Sequence, residues 1–126
     1  MLGDKDVIAT VAVKDLARAR KFYEGTLGLR ATSTEGDEAI TFASGSSSLI
    51  VYRSQYAGTN KATALNWKVG KDVSKVAEAL KQKGVTFERY DLPGATLKGD
   101  VHVFGGTFET AWFKDPDGNI ISLMSG

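Results

Sequence analysis

An internal repeat of strand and helix patterns is the feature of this 126-residue sequence that most restricts its fold. In each half, an apolar strand pattern precedes an amphipathic helix pattern that stops at a glycine, and three further strand patterns follow. Val13 and Gly28 in the first half match Val69 and Gly84 in the second, both at an offset of 56 residues (69 − 13 and 84 − 28). Because a duplicated unit folds twice in the same way, the repeat predicts two tandem βαβββ modules.

We expect residues 1–126 to form a single domain of the α+β class. Module 1 is predicted over about residues 7–53 and module 2 over about residues 63–124. A polar linker at about residues 54–62 would join them.

Composition and charge exclude several classes of function. The chain has no cysteine, which rules out disulfides, thiolate zinc sites and cysteine nucleophiles. A net charge of +1 without a basic cluster gives no electrostatic footprint for nucleic acid. Residues 1–15 are charged before a short apolar run, so they fit neither a signal peptide nor a membrane span. We therefore expect a soluble cytoplasmic protein with no nucleic-acid or membrane partner.

The last two strand patterns of each half also align. Phe42 matches Phe113 and Leu49 matches Ile120, both at an offset of 71 (113 − 42 and 120 − 49), so we expect turns of equal length between them. In the second half this turn is DPDGN, residues 115–119, whose Asp, Pro and Gly suit a hairpin.

A glycine-rich stretch, DLPGATLKGDVHVFGG (residues 91–106), is long for a connection inside a compact domain. Segments of this kind are often binding loops or lids. Such a lid would bring His102 and Phe104 to a pocket. The alternative is a disordered surface loop.

Three motifs in a fixed order carry a resemblance to a known family: VAVKDL (11–16), FYEGTLGL (22–29) and AWFKDPDGN (111–119). Together with the repeat, they resemble the vicinal oxygen chelate superfamily, which includes glyoxalase I, extradiol dioxygenases, fosfomycin-resistance enzymes and bleomycin-resistance proteins. The resemblance covers nearly the whole chain. It implies a curved mixed sheet that encloses a cleft, and relatives that commonly complete their clefts with a second chain, so we expect a homodimer.

The resemblance also implies where a metal would bind. Metal-dependent members hold the ion with four His, Glu or Gln side chains from the first and last strands of the modules. The matching first-strand positions are Ile8 and Ala64, and the last-strand positions are Ser122 and Val51, or Ile50 if that strand slips by one residue. Apolar side chains offer no donor and a neutral hydroxyl is a poor one, so we expect no metal and no other cofactor.

Strand alternation predicts which side chains surround these four positions. The candidate ligand-binding residues are Thr10, Phe42, Val51, Asn66, Lys68, His102, Phe113 and Ser122. A bulge in the last hairpin would exchange Phe113 for Trp112 on the cleft side. Phe42 and Phe113 could also simply fill the interior of the sheet.

An apolar, aromatic cleft without metal ligands favours a small-molecule binding protein. As the resemblance to bleomycin-resistance proteins implies, it would sequester an apolar or aromatic drug or metabolite. The alternative is a glyoxalase-like lyase, isomerase or dioxygenase with an unconventional or absent metal site. Lys68, His102 or Glu109 would then be the acid or base, although no residue pair in the sequence assigns a catalytic role. A third possibility is a regulatory module with a vestigial cleft.

Overall fold

The computed structural model describes residues 1–126 and divides them into two compact units, Met1–Gly58 and Thr59–Gly126. Each unit contains one mixed sheet and one main helix. The α+β class and the two tandem modules predicted from the repeat are therefore confirmed. Neither helix combines the length and the apolar content needed to cross a membrane.

Unit 1 is a four-stranded sheet with a helix packed on one face. Its elements are β1 (Ala9–Val13), α1 (Leu16–Arg20), β2 (Arg30–Glu35), β3 (Ala39–Ser44) and β4 (Ser47–Arg53). The strand order is β1-β4-β3-β2, in which β1 and β4 are parallel. The Asp15 carboxylate accepts a hydrogen bond from the Arg18 N–H at 3.1 Å and so caps the start of α1. A π-helical turn, Lys21–Thr26, continues α1.

Phe42 and Val51 belong to the core of unit 1. Phe42 has no exposed surface, and its ring lies 6.0 Å from that of Tyr23, which follows α1. Val51 pairs with the buried Val11, whereas its neighbour Ile50 pairs with the exposed Thr10 on the other face. The expectation that Phe42 and Val51 face a cleft is therefore wrong. The slipped register with Ile50 is the one observed.

Unit 2 is a six-stranded sheet with one helix. Its elements are β5 (Thr63–Lys68), α2 (Val73–Gln82), β6 (Phe87–Glu88), β7 (Ala95–Lys98), β8 (Val101–Phe104), β9 (Phe108–Lys114) and β10 (Ile120–Met124). The strand order is β5-β10-β9-β8-β7, and β6 also pairs with β9. As predicted, a glycine ends α2: Gly84 adopts a φ of 93° while its N–H donates to the carbonyl of Lys81.

The two faces of this second sheet differ in burial. On the helix side, α2 packs against β9 and β10, and the buried strand residues are Leu65, Ala111, Phe113, Ile121 and Leu123. Phe113 has no exposed surface, and its ring lies 5.5 Å from that of Phe87. Phe113 is therefore core, and the expectation that it faces the cleft is wrong. We call the opposite side, which carries Asn66, Trp112 and Ser122, the open face.

The DPDGN turn is one residue longer than its counterpart in unit 1. Phe113 lies opposite Ile121, whereas Phe42 lies opposite Leu49, so the offset between the units changes from 71 (113 − 42) to 72 (121 − 49) across the turn. The expectation of equal turns is wrong. Because side chains alternate along a strand, the extra residue sets which residues of β9 and β10 share a face: Phe113 shares the helix side with Ile121, and Trp112 shares the open face with Ser122.

The turn is held by the side chain of Asp115, which is buried. One carboxylate oxygen accepts hydrogen bonds from the N–H groups of Asp117 and Asn119, both at 2.9 Å. The other oxygen accepts from the Asn119 amide at 2.8 Å. Gly118, with a φ of 91°, lets the chain reverse between them. The hydrogen bonds within DPDGN thus fix the register between β9 and β10.

Replacing Asp115 with alanine should lower the free energy of unfolding by about 2–3 kcal/mol, because buried donors lose a charged acceptor. Chemical denaturation monitored by circular dichroism measures this change. Asp37→Ala, an exposed aspartate in the turn between β2 and β3, is the matched control and should change the value by less than about 0.5 kcal/mol. Equal effects of the two substitutions would contradict the role assigned to Asp115.

The stretch at 91–106 is an ordered hairpin and not a disordered loop. β7 and β8 pair through Ala95–Lys98 and Val101–Phe104, and β8 extends the sheet from β9. At the hairpin turn, Asp100 accepts from Arg89 at 2.9 Å and contacts Lys81 of α2 at 3.0 Å. These two cations tie the hairpin to the rest of unit 2.

The same contacts determine how the stability contributed by Asp100 changes at acid pH. Hydrogen bonds from Lys81 and then Arg89 hold the pKa of Asp100 below its ordinary value of 3.8. For a carboxylate with a lowered pKa, the stabilisation is complete above the unfolded-state pKa and is lost as pH falls through the folded-state pKa. Asp100→Asn should therefore be less stable than wild type at pH 7, and the difference should shrink below about pH 4. Denaturation at several pH values measures it.

Glu38→Gln serves as the control for this pH experiment, since the Glu38–Arg53 pair at 2.8 Å is exposed on both sides. Exposed ion pairs contribute little, so this variant should follow the wild-type pH profile closely. A stability difference between Asp100→Asn and wild type that stays constant down to the lowest pH would contradict the electrostatic role of Asp100.

Candidate functional site

The open face of the second sheet carries a cleft of about 560 Å³. It lies within the size range of small-molecule sites. Its lining comes from β5, β8, β9 and β10 and from the segment between β6 and β7. The lining residues are Thr63, Asn66, Leu92, Phe104, Phe108, Thr110, Trp112, Ser122 and Met124.

Strand register explains why these side chains meet. Trp112 lies opposite Ser122 and Thr110 opposite Met124 in the antiparallel β9–β10 pair. Ser122 also lies beside Asn66 in the parallel β10–β5 pair. Because side chains at alternate positions share a face, the register brings these residues of three strands to one side of the sheet.

Three aromatic rings, those of Phe104, Phe108 and Trp112, contribute to the cleft wall. The rings of Phe104 and Phe108 lie 6.3 Å apart at the end of the β8–β9 connection. The Trp112 ring is held edge-on by Tyr90 at 5.4 Å and by His102 at 4.9 Å. Such a wall offers a planar ligand both hydrophobic burial and ring contacts.

Two hydrogen bonds organise the polar edge of the cleft. The Ser122 hydroxyl donates to the Asn66 amide oxygen. The Trp112 indole N–H donates to the Thr63 hydroxyl oxygen at 3.1 Å. Trp112 is thereby fixed on its polar side by β5 and on its apolar side by the neighbouring rings. The lining contains no ionisable side chain.

His102 lies inside the sheet and not in a loop. It is fully buried on β8, and its Nε2 accepts a hydrogen bond from the Tyr90 N–H at 2.9 Å. The same Nε2 also lies 3.2 Å from the carbonyl oxygen of Tyr90, and Nδ1 has no hydrogen-bond partner. Partial burial, followed by the charge of Glu88, raises the pKa of Tyr90, so its phenol stays neutral at physiological pH. His102 and Tyr90 support Trp112 and do not line the cleft.

The structure thus separates the candidate site residues into three groups. Asn66 and Ser122 line the cleft, while Phe42, Val51 and Phe113 are core. Thr10 is exposed in unit 1, Lys68 is exposed at the end of β5, and His102 is buried beside Trp112.

Five lining residues were not among the sequence-based candidates: Thr63, Leu92, Phe108, Thr110 and Met124. Phe104 and Trp112 had been considered only as part of a lid and as the result of a bulge. The apolar alternation on both sides of Gly99-Asp100 is a hairpin signal that would have placed Phe104 on a strand.

The four positions at which the resemblance implies metal ligands do not fit a metal ion. Ile8 is exposed and Ile50 is apolar. Ala64 has no paired residue on β10, because the β5–β10 register shifts at this point. The Ser122 hydroxyl is engaged with Asn66. No group of three His, Cys, Asp or Glu side chains is arranged to hold a metal elsewhere. The donor chemistry of these residues therefore gives no site of the kind that the resemblance implies.

Solved structures with the same fold have diverse names. An integron cassette protein from the mobile metagenome of the Halifax Harbour sewage outfall is 19% identical, with a TM-score of 0.73 over 97% of this chain and 99% of that one. A lactoylglutathione lyase from Agrobacterium tumefaciens is 13% identical, with a TM-score of 0.74 over 96% and 92%. A fosfomycin resistance protein from Mesorhizobium loti is 16% identical, with a TM-score of 0.70 over 100% and 94%.

At these identities, the neighbours establish the fold alone. No curated protein sequence matches the chain significantly. The family model of the Glyoxalase/Bleomycin resistance protein/Dioxygenase superfamily matches residues 7–123, which is nearly the whole chain. With the two tandem units and the cleft on the open face described, this match confirms the family predicted from the motifs: the chain belongs to the Glyoxalase/Bleomycin resistance protein/Dioxygenase superfamily.

Proposed function

We propose that this protein binds an apolar or aromatic small molecule, such as a drug or metabolite, in the cleft of unit 2 without a metal ion. The observation that carries this proposal is the lining: aromatic rings on one side, a short polar edge on the other, and no ionisable side chain. Mostly apolar pockets with a few placed polar groups are typical of small-molecule sites.

Hydrophobic burial would supply most of the affinity. Burial of apolar ligand surface contributes roughly 25 cal/mol per Å², against the cost of immobilising the ligand. The wall is already ordered by the contacts of Trp112 with Tyr90 and His102, so little further ordering of that ring is needed on binding. A preformed wall keeps the entropic cost of binding low.

The alternative is an enzyme of the lyase, isomerase or dioxygenase type. The names of two structural neighbours, a lactoylglutathione lyase and a fosfomycin resistance protein, fit this alternative. Against it, none of the three acid–base candidates lines the cleft: Glu109 alternates to the other side of β9, His102 is buried, and Lys68 is outside the lining. Binding without chemistry is therefore the function that the geometry supports best.

A thermal-shift screen of planar drugs and aromatic metabolites, with and without a chelator, tests the proposal. A true ligand at a hundred times its dissociation constant should stabilise the protein by about 2.7 kcal/mol. The shift should be the same with the chelator, because no lining residue needs a metal. Hits that all require added zinc, nickel, manganese or ferrous ion would contradict the proposal and favour the enzyme.

Substitutions in the cleft wall test whether the ligand binds there. Phe108→Ala and Trp112→Ala each remove a ring from the wall and should weaken a hit by about tenfold. Phe108 is 38% exposed, so its removal should leave the fold intact even if loss of Trp112 does not. Tyr52→Ala removes an aromatic ring of similar exposure, 40%, from unit 1 and should leave the affinity unchanged. Equal affinities for all three variants would place the ligand elsewhere.

We further propose that the chain is a homodimer. Large apolar side chains are exposed in both units, among them Ile8 and Tyr52 in unit 1 and Leu97 and Phe108 in unit 2. Surfaces of this kind commonly mark an interface. Analytical ultracentrifugation at micromolar concentration should give twice the chain mass of 13.5 kDa. A single species at the chain mass would contradict the dimer.

A further inference from the structure

The polar edge of the cleft carries hydrogen-bond donors that have no partner within the protein. The Ser122 hydroxyl donates its hydrogen to the amide oxygen of Asn66. This bond orients the amide, so that its nitrogen, with two N–H donors, is the part left without a protein partner. Asn66 is exposed and lines the cleft, so these donors are available to a ligand.

Thr63 adds a further donor to the same edge. Its hydroxyl oxygen accepts the indole N–H of Trp112 at 3.1 Å. A hydroxyl that accepts in this way still has its own hydrogen to donate. Thr63 and Asn66 both belong to β5 and both line the cleft, so their free hydrogens lie along one strand beside the Trp112 ring.

The rest of the lining adds hydroxyl groups but no charged group. It contains no carboxylate, and the remaining side chains are apolar except for Thr110 and Ser122. Backbone carbonyls of the central strands are engaged in the sheet ladders. A ligand acceptor would meet the free hydrogens of Asn66 and Thr63, whereas a hydrocarbon of the same shape could not use them. These hydrogen bonds therefore favour a ligand with an acceptor oxygen over such a hydrocarbon.

We propose that the Asn66–Thr63 edge selects aromatic ligands that carry a hydrogen-bond acceptor oxygen, such as an aryl carbonyl. The ring packs on Trp112 and the phenylalanines, and the oxygen accepts from the Asn66 amide nitrogen, with Thr63 as the second donor. The orienting role belongs to Ser122, which touches Asn66 and fixes which end of the amide faces the cleft. This inference rests on the proposed binding function and adds the chemical class of the ligand.

Two probes of similar shape test the inference: 2-acetylnaphthalene, which has the acceptor oxygen, and 2-ethylnaphthalene, which lacks it. Their dissociation constants are measured by equilibrium dialysis against wild type and Asn66→Asp. The substitution keeps the side-chain shape but replaces two donors with an acceptor. The ketone should bind the variant about tenfold more weakly, and the hydrocarbon should change by less than about threefold. The double comparison cancels the difference in hydrophobicity between the probes.

Asn60→Asp is the matched control, because Asn60 lies outside the cleft lining and its amide bonds to Ala62 at 3.2 Å. It should leave both constants unchanged. Ser122→Ala gives a second, independent variant: with the amide free to turn, the ketone should lose about two- to threefold and the hydrocarbon nothing. Thermal unfolding of each variant verifies that it is folded.

The outcomes separate the two proposals. If the hydrocarbon and the ketone both bind wild type and Asn66→Asp affects them equally, the acceptor preference is overturned while binding in the cleft stands. If Asn66→Asp leaves the dissociation constant of the ketone unchanged, the Asn66 amide nitrogen does not bind its oxygen and the inference is also overturned. If neither probe nor any aromatic compound of the screen binds wild type, both the proposed function and this inference fail.

Discussion

The hydrogen bonds of Asp115 set the length of the turn between β9 and β10, and the chemistry of the cleft depends on that length. With the observed turn, Phe113 lies opposite Ile121 and packs on the helix side, while Trp112 lies opposite Ser122 on the open face. One residue fewer would reverse every side chain of one strand relative to the other. The same hydrogen bonds thus determine both the core and the cleft wall of unit 2.

A second constraint acts on the edge of the sheet. The β7–β8 hairpin supplies Phe104 to the cleft, and its turn is tied to α2 and to the segment after β6 through Asp100. The segment after β6 also provides Tyr90, whose N–H bonds to His102 and whose ring contacts Trp112. The ion pairs of Asp100 and the ring contacts of Trp112 therefore both position the cleft wall of unit 2. This arrangement explains why a glycine-rich segment is ordered here.

Local patterns in the sequence were sufficient for the modules but not for the cleft. Capping by Asp15, the stop at Gly84 and the spacing of Val13 and Val69 depend on neighbouring residues, so the repeat and both helices could be predicted. Register depends on how many residues a turn contains when folded, which the alignment of Phe42 with Phe113 could not reveal. The wrong faces assigned to Phe113 and Val51 both follow from that one-residue uncertainty.

The replacement of metal-ligand positions and the polarity of the cleft are physically connected. A strand position that holds a metal must present a donor atom without a competing partner, whereas Ser122 is engaged with Asn66. The hydrogen bond between Ser122 and Asn66 instead leaves the amide hydrogens of Asn66 exposed at this position. An edge of hydrogens beside aromatic rings attracts ligand oxygens and has little attraction for cations. In the complex that we propose, the Asn66 amide would take the place of a Lewis acid as the partner of the ligand oxygen.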